Sequence, residues 1–169
     1  MAKKTSAGIL LYRIRSGELQ VFIVHPGGPF WAGKDAGAWS IPKGEIDRGS
    51  DLLETAKREF HEETGKPASG EFLALTPLEQ PSGKVVYAWA VEGDIDPSTL
   101  KSNTFTMEWP PRSGKQQEFP EVDRGGWFTV AEATEKLLPG QRGFLSELQE
   151  KLGLTLRPST GASERGKLS

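Results

Sequence analysis

The order in which hydrophobic periodicities follow one another restricts this fold more than any single residue. "SAGILLYRIR" and "LQVFIVHP" are rich in β-branched and aromatic residues, and polar Ser16 to Glu18 separates them, which predicts a β-hairpin. Gly27 to Trp39 is dense in glycine and aromatics and reads as a loop. "WSIPKGEIDRGS" predicts a short strand, a Pro42-Lys43-Gly44 turn and a second loop ending at Ser50, a helix N-cap candidate. A helix follows from Asp51 to Thr64, with Gly65 just past its end. "GEFLALTPL" and "KVVYAWAVEG" predict two more strands, Thr104 to Trp109 another, and "GWFTV" a last one. Thr129 and Glu132 form a capping-box pattern opening a helix that stops near Pro139, and a third helix runs from Arg142 to Leu152. Strands, a helix, strands and then helices imply an α/β class with a mixed sheet covered by helices.

The 169 residues, 36% of them hydrophobic, suffice for one domain core over residues 1–156. From Arg157 the chain is polar with almost nothing to bury, and a mobile tail over 157–169 is expected. A net charge of −2 leaves no electrostatic footprint for a nucleic-acid polymer or an anionic membrane. A small phosphorylated ligand remains open, since a local basic pocket needs no global charge. Without cysteine there are no disulfides, thiolate metal sites or cysteine nucleophiles, and two histidines, His25 and His61, make a histidine-rich zinc site improbable. No apolar run approaches the ~20 residues of a membrane span, no signal peptide is legible, and no protein partner is evident; a cytoplasmic location is the expectation.

The helix at 51–64 carries Glu59, Glu62 and Glu63 near its C-terminal end. Like charges at this spacing cost roughly 0.2–0.5 kcal/mol per pair, and carboxylates at a helix C-terminus oppose the macrodipole by about 0.3–1 kcal/mol. On a helical wheel with Glu59 at zero, Leu52, Leu53, Ala56 and Phe60 span about +20° to +120°. Glu63 falls at about +40° and Glu62 at about −60°, so Glu59 and Glu63 border the apolar stripe instead of opposing it. A solvated charged face is the competing reading, supported by the four-residue spacings of Glu54 with Arg58 and of Arg58 with Glu62. A divalent cation would turn the repulsion into shared attraction, and oxygen-only ligands select Mg²⁺ or Mn²⁺. Mg²⁺ sites usually add waters and substrate phosphates, which directs attention to phosphate chemistry. Lys43 offers a point charge for phosphate and Gly44 a backbone that an ion can approach closely.

Read as a whole, "GEIDRGSDLLETAKREFHEETGK" from Gly44 to Lys66 resembles the Nudix box. Gly44, Arg58, Glu59, Phe60, Glu62, Glu63 and Gly65 match that motif in register. Two positions depart: Ser50 stands where the family usually has its first glutamate, and Lys66 where it usually has an apolar residue. The resemblance implies a Nudix-like α/β/α sandwich and hydrolysis of a nucleoside diphosphate linked to another moiety. It implies that Glu59, Glu62, Glu63 and the Gly44 carbonyl bind Mg²⁺ or Mn²⁺, and that Arg58 orients Glu59. The base would lie in the box or on a later loop, where Glu118 and Glu121 are candidates. "WSIPKGEID" looks most like the branch that includes asymmetric dinucleoside tetraphosphate hydrolases and diphosphoinositol polyphosphate phosphohydrolases, with diadenosine tetraphosphate the favoured kind of substrate.

Phe30, Trp31 and Trp39 flank the Gly-rich loop and would either stack on a base or plug the rim of the core. Arg112 and Lys115 would either reach a distal phosphate or belong to a solvated loop. The alternatives to a dinucleoside polyphosphate are ADP-ribose, nucleotide sugars and inositol pyrophosphates. A Nudix-fold nucleotide-binding module without catalysis is the competing class, with Ser50 in its favour and the intact glutamate set against it.

Overall fold

The computed structural model describes residues 4–47 and 49–154. The tail expected from Arg157 lies outside the described residues.

The first hairpin forms as predicted. Strands β1 (Thr5–Arg15) and β2 (Glu18–Pro26) pair antiparallel, with Leu11 opposite Phe22 and Arg15 opposite Glu18. Ser16 and Gly17 both take positive φ, 55° and 77°, the signature of a two-residue turn whose twist matches the strands. Strand β1 is the centre of the sheet. Along one edge it pairs parallel with β6 (Val85–Glu92) from Thr5 to Tyr12. Its antiparallel partners share out its length: β2 takes 11–15, and β3 (Lys43–Glu45) takes Ser6 to Gly8. β4 (Leu73–Ala74) and β5 (Leu78–Glu79) both pair with β6, and β9 (Val122–Thr129) completes the sheet beside β2. β7 (Thr104–Glu108) and β8 (Gln116–Pro120) form a separate two-stranded hairpin.

Strand alternation sends side chains to two faces. Ala7, Ile9 and Leu11 of β1, with Phe22 and Val24 of β2, face helix α1 (Leu52–Thr64), which supplies Ala56 and Phe60. Leu10, Tyr12, Val21 and Ile23 face the opposite layer. There they meet Ala133 of α2 (Val130–Lys136) and Phe144, Leu145 and Leu148 of α3 (Gly143–Lys151). A mixed sheet between helices on both faces is the expected α/β/α sandwich.

Several local expectations change. Asp51, not Ser50, caps α1: its Oδ2 accepts from the Glu54 N–H at 2.9 Å. A side chain at the position immediately before the first helical residue reaches the first-turn N–H groups, and Ser50 is one residue too early. Pro42-Lys43-Gly44 is not a bare turn, because Lys43 and Gly44 are laddered onto β1. A Lys-Gly-Glu tripeptide has no strand signal of its own; pairing with β1 imposes the conformation. "GEFLALTPL" forms two dipeptide strands instead of one, and β8 was not expected, since Gln116 to Glu118 carries no apolar alternation. The α2 capping box is present, and Gly65 ends α1 at φ 79° with its N–H on the His61 carbonyl.

Phe60 is wholly buried between α1 and the sheet. Phe60→Ala should therefore destabilise the protein by about 3–5 kcal/mol, measured by equilibrium denaturation.

Candidate active site

The end of α1 is built into the molecule by backbone hydrogen bonds. The last carbonyls of a helix have no partner within it. Here Lys101 N–H donates to the Thr64 carbonyl at 2.9 Å and Asn103 N–H to the Glu62 carbonyl at 2.8 Å. The Asn103 carbonyl in turn accepts from Glu121 N–H at 2.8 Å, and the Glu121 carbonyl accepts from Gly27 N–H at 3.0 Å. This chain of bonds brings Glu62, Glu63, Glu121 and the start of the Gly27 loop to one place. Sequence separation hides it, since α1 and Glu121 are more than fifty residues apart.

Glu59 lies against β3. A Cβ on Gly44 would stand 2.1 Å from the Glu59 carboxylate, so any other residue there would push that carboxylate out of its place. Arg58 Nη2 is 3.2 Å from Glu59 Oε2, and its Nε is 3.6 Å from Glu62 Oε2. One guanidinium thus spans two of the three glutamates. The other charge pairing expected for it does not form: Glu54 pairs with Lys57 at 3.4 Å. Glu59 is well covered, with 14% of its side chain exposed against 34% for Glu62. Glu63 Oε1 accepts from the Lys43 backbone N–H at 3.3 Å.

The electrostatics follow from this packing. Burial pushes the Glu63 carboxyl up to about 8, with Glu59 and Glu121 adding to the shift and Lys43 opposing it. Burial also raises Glu59, where the Arg58 hydrogen bond is the main opposing influence. Glu121 is raised by burial and then by the charges of Glu59 and Glu62. Burial lowers the Lys43 ammonium, against the pull of Glu63. Four carboxylates therefore feel one another across a small space, partly dehydrated. Among the described residues, no group of three or more His, Cys, Asp or Glu side chains is gathered as a ready chelate. The donor chemistry still fits a hard divalent ion: oxygen ligands alone, mutually repelling, beside a glycine backbone.

Glu63 and Glu121 also line a pocket of about 460 Å³. Its walls are Phe30 and Trp31 from the Gly27 loop and Phe105 and Met107 from β7. Phe30 is 65% exposed, an unusual state for a phenylalanine. Phe105 and Met107 were not expected from the sequence. The alternation "TFTME" was the available signal, but nothing in it tells which surface the hairpin faces.

The remaining expected residues scatter. Trp39 is 4% exposed and packs edge-on to His25 and Phe128, with its Nε1 donating to Asp35 Oδ1. It plugs the core and does not line the pocket. Arg112 and Lys115 are exposed in the connection between β7 and β8, outside the pocket lining, and Glu118 bonds to Thr104 across that hairpin. His61 is exposed and His25 is buried within hydrogen bonds.

Two outcomes check this geometry. Without metal, Glu63 binds a proton more tightly folded than unfolded, so its contribution to stability is full below about pH 4.5 and is lost as pH rises through about 8. Thermal melts in EDTA should show that decline, and Glu63→Gln should flatten it. Gly44→Ala should displace Glu59 and reduce any activity at least tenfold, read from initial rates beside a circular-dichroism spectrum that stays native.

Comparisons with known proteins bear on the family and the fold. An RNA pyrophosphohydrolase of Brucella anthropi is 29% identical over 125 residues, covering 65% of this chain and 67% of that protein. Two solved structures share the fold. A C. elegans Ap4A hydrolase binary complex matches with TM-score 0.61 and 18% identity, covering 89% of this chain and 98% of the other. The NUDIX domain of Shewanella oneidensis NrtR complexed with ADP ribose matches with TM-score 0.61 and 17% identity, covering 90% of each. The NUDIX domain family matches residues 2–148, a span that holds the strand–helix unit, the glutamate cluster and the pocket, and the chain belongs to that family.

Proposed function

We propose that this protein is a Mg²⁺- or Mn²⁺-dependent nucleotide pyrophosphohydrolase whose substrate is a dinucleoside polyphosphate such as diadenosine tetraphosphate. Family membership supports the general activity. The observation that carries the proposal is the shared lining of one pocket: Glu63 and Glu121 stand at the same opening as Phe30, Trp31, Phe105 and Met107. Aromatic walls take the flat face of a base, and carboxylates mark where the charged end of the substrate would be worked on.

Glu59, Glu62, Glu63 and the Gly44 carbonyl would hold the divalent ion. When bound, such an ion would neutralise phosphate charge and lower the pKa of a water. The chain's own residues do the rest. Arg58 pairs with both Glu59 and Glu62 and opposes the burial that raises the Glu59 carboxyl. Gly44 leaves room for the Glu59 carboxylate. Glu121, raised by burial and neighbouring charge, is suited to take a proton from attacking water, because a base with a raised pKa lies closer to the working pH. Lys43 balances Glu63 from the β3 side. Arg112 and Lys115 are exposed in the connection that follows β7, the strand that gives the pocket Phe105 and Met107, and are the candidates for a distal phosphate. Ser50 is exposed and supplies no carboxylate, so the ligand set is drawn from α1 and β3.

An RNA pyrophosphate end is the second reading. The similarity to an RNA pyrophosphohydrolase over 65% of this chain favours it, and the pocket, with Phe30 standing open at its rim, would admit a terminal nucleotide.

The deciding experiment is a substrate panel with Mg²⁺ or Mn²⁺, products separated by chromatography. Diadenosine tetraphosphate, 5′-triphosphorylated RNA, ADP-ribose, nucleotide sugars and inositol pyrophosphates should be included. Turnover of diadenosine tetraphosphate, abolished by EDTA and reduced by orders of magnitude in Glu63→Gln, is the expected result. Turnover of the RNA end alone would move the assignment to the second reading. No turnover by folded, metal-loaded protein would favour a binding module.

A further inference from the structure

One buried histidine braces the backbone behind the pocket's outer wall. The Lys34 carbonyl accepts from His25 Nε2 at 2.6 Å, while the end of the same loop is fastened by Ala38 N–H on the Asp35 carbonyl at 3.1 Å and by Gly37 N–H on the Glu135 carbonyl at 3.0 Å. His25 is fully buried near the end of β2, and its Nδ1 lies 2.9 Å from Asp123 Oδ1 on β9. A carbonyl oxygen accepts and cannot donate, which fixes Nε2 as a donor. Asp123 is partly exposed, and Arg124 Nη1 sits 3.7 Å from the same Oδ1. The Trp39 ring closes the remaining side at 5.3 Å, with the Arg124 and Lys136 cations over its face. Asp35 pairs with Lys136 just beyond.

From Lys34 the structure returns to the pocket. Its Nζ lies 4.1 Å from the centroid of the Phe30 ring and 5.3 Å from that of Trp31. A cation at that distance attracts an aromatic face. The carbonyl of Lys34 is thus pinned to the sheet while its ammonium holds the two aromatic side chains that form the outer wall. Opposite, Phe105 packs against Gly28, where a Cβ would stand 2.9 Å from the ring. Among the described residues that line the pocket, none is an Asn, Gln, Ser, Thr, Lys or Arg that could read the edge of a base, which gives weight to the spacing of its aromatic walls.

We propose that His25 is a positioning residue for substrate binding: by holding the Lys34 carbonyl it sets Phe30 and Trp31 at the separation from Phe105 and Met107 that admits an aromatic base. This rests on the reading of the pocket as a nucleotide site. It places a specificity determinant outside the glutamate cluster and outside the pocket lining itself.

Two variants separate the tether from mere filling of the core. His25→Gln can place an amide N–H near the Nε2 position and keep the Lys34 partner. His25→Asn can place one near Nδ1 and keep Asp123 while losing Lys34. Hydrogen exchange by mass spectrometry should accelerate across residues 27–38 in His25→Asn and stay close to wild type in His25→Gln. Binding of AMP, by calorimetry, should weaken about tenfold in His25→Asn and recover in His25→Gln, a difference of roughly 1.4 kcal/mol. The wild type alone supplies a further test: His25 should show a slowly exchanging Nε2–H signal by NMR. Absence of an Nε2–H, or unchanged exchange in His25→Asn, would overturn the tether. Accelerated exchange with unchanged AMP affinity would overturn the positioning role while leaving the tether. Absence of AMP binding by the wild type would instead overturn the pocket reading on which the proposal rests.

Discussion

The close approach of helix α1 to strand β3 governs the rest of the site. Gly44 has no side chain, and the Glu59 carboxylate occupies the space that one would fill. That contact exists because β1 divides its edge, pairing β2 along 11–15 and β3 along Ser6 to Gly8. β3 therefore lies beside the residues of β1 that α1 covers. Phe60 and Ala56 press the helix onto the sheet, and the next positions around the wheel, Glu59 and Glu63, are carried into the seam. Hydrophobic burial of one side of the helix thus drives dehydration of carboxylates on its border. The raised Glu59 and Glu63 carboxyls are consequences of packing, before any ligand is considered.

A second constraint ties the glutamates to the pocket. Helix ends need partners for their last carbonyls, and α1 finds them in the backbone of Lys101 and Asn103. Because Asn103 then bonds Glu121, and Glu121 bonds Gly27, the requirement for backbone satisfaction at one helix terminus aligns the carboxylates with the aromatic loop. The repulsion among Glu59, Glu62, Glu63 and Glu121 is only partly met by Arg58 and Lys43. Such an arrangement trades stability for a site prepared to receive positive charge.

The legible parts were those carried by local patterns. The first hairpin, helix α1 and its Gly65 stop, the capping box at Thr129 and the α/β class with a mixed sheet all follow from periodicity and end signals along the chain, whereas the α/β/α sandwich comes from the family resemblance. The glutamates on the edge of the apolar stripe could be placed by a wheel, because an α-helix has one geometry. Illegible were features made by distant partners. β3 is a strand because β1 is beside it. Trp31 and Trp39 look alike in a glycine-rich segment, yet one lines the pocket and the other is core, since bridges from Trp39 to Leu137 and from Ser40 to Val24 pull that end inward. Phe105 and Met107 gain their place from the orientation of a hairpin that stands apart from the main sheet.

By itself the sequence determined the first hairpin, the helices and the longer strands, the register of seven box positions, and an oxygen-only set of candidate ligands. Tertiary structure alone decided that Glu121 joins the glutamates of α1, that four apolar side chains from two separate segments form one pocket, and that His25 reaches the Lys34 carbonyl. The physical reason is range. Propensity, capping and periodicity act within one or two turns of chain, whereas desolvation, charge coupling and backbone hydrogen bonding act between whichever groups the fold has made neighbours.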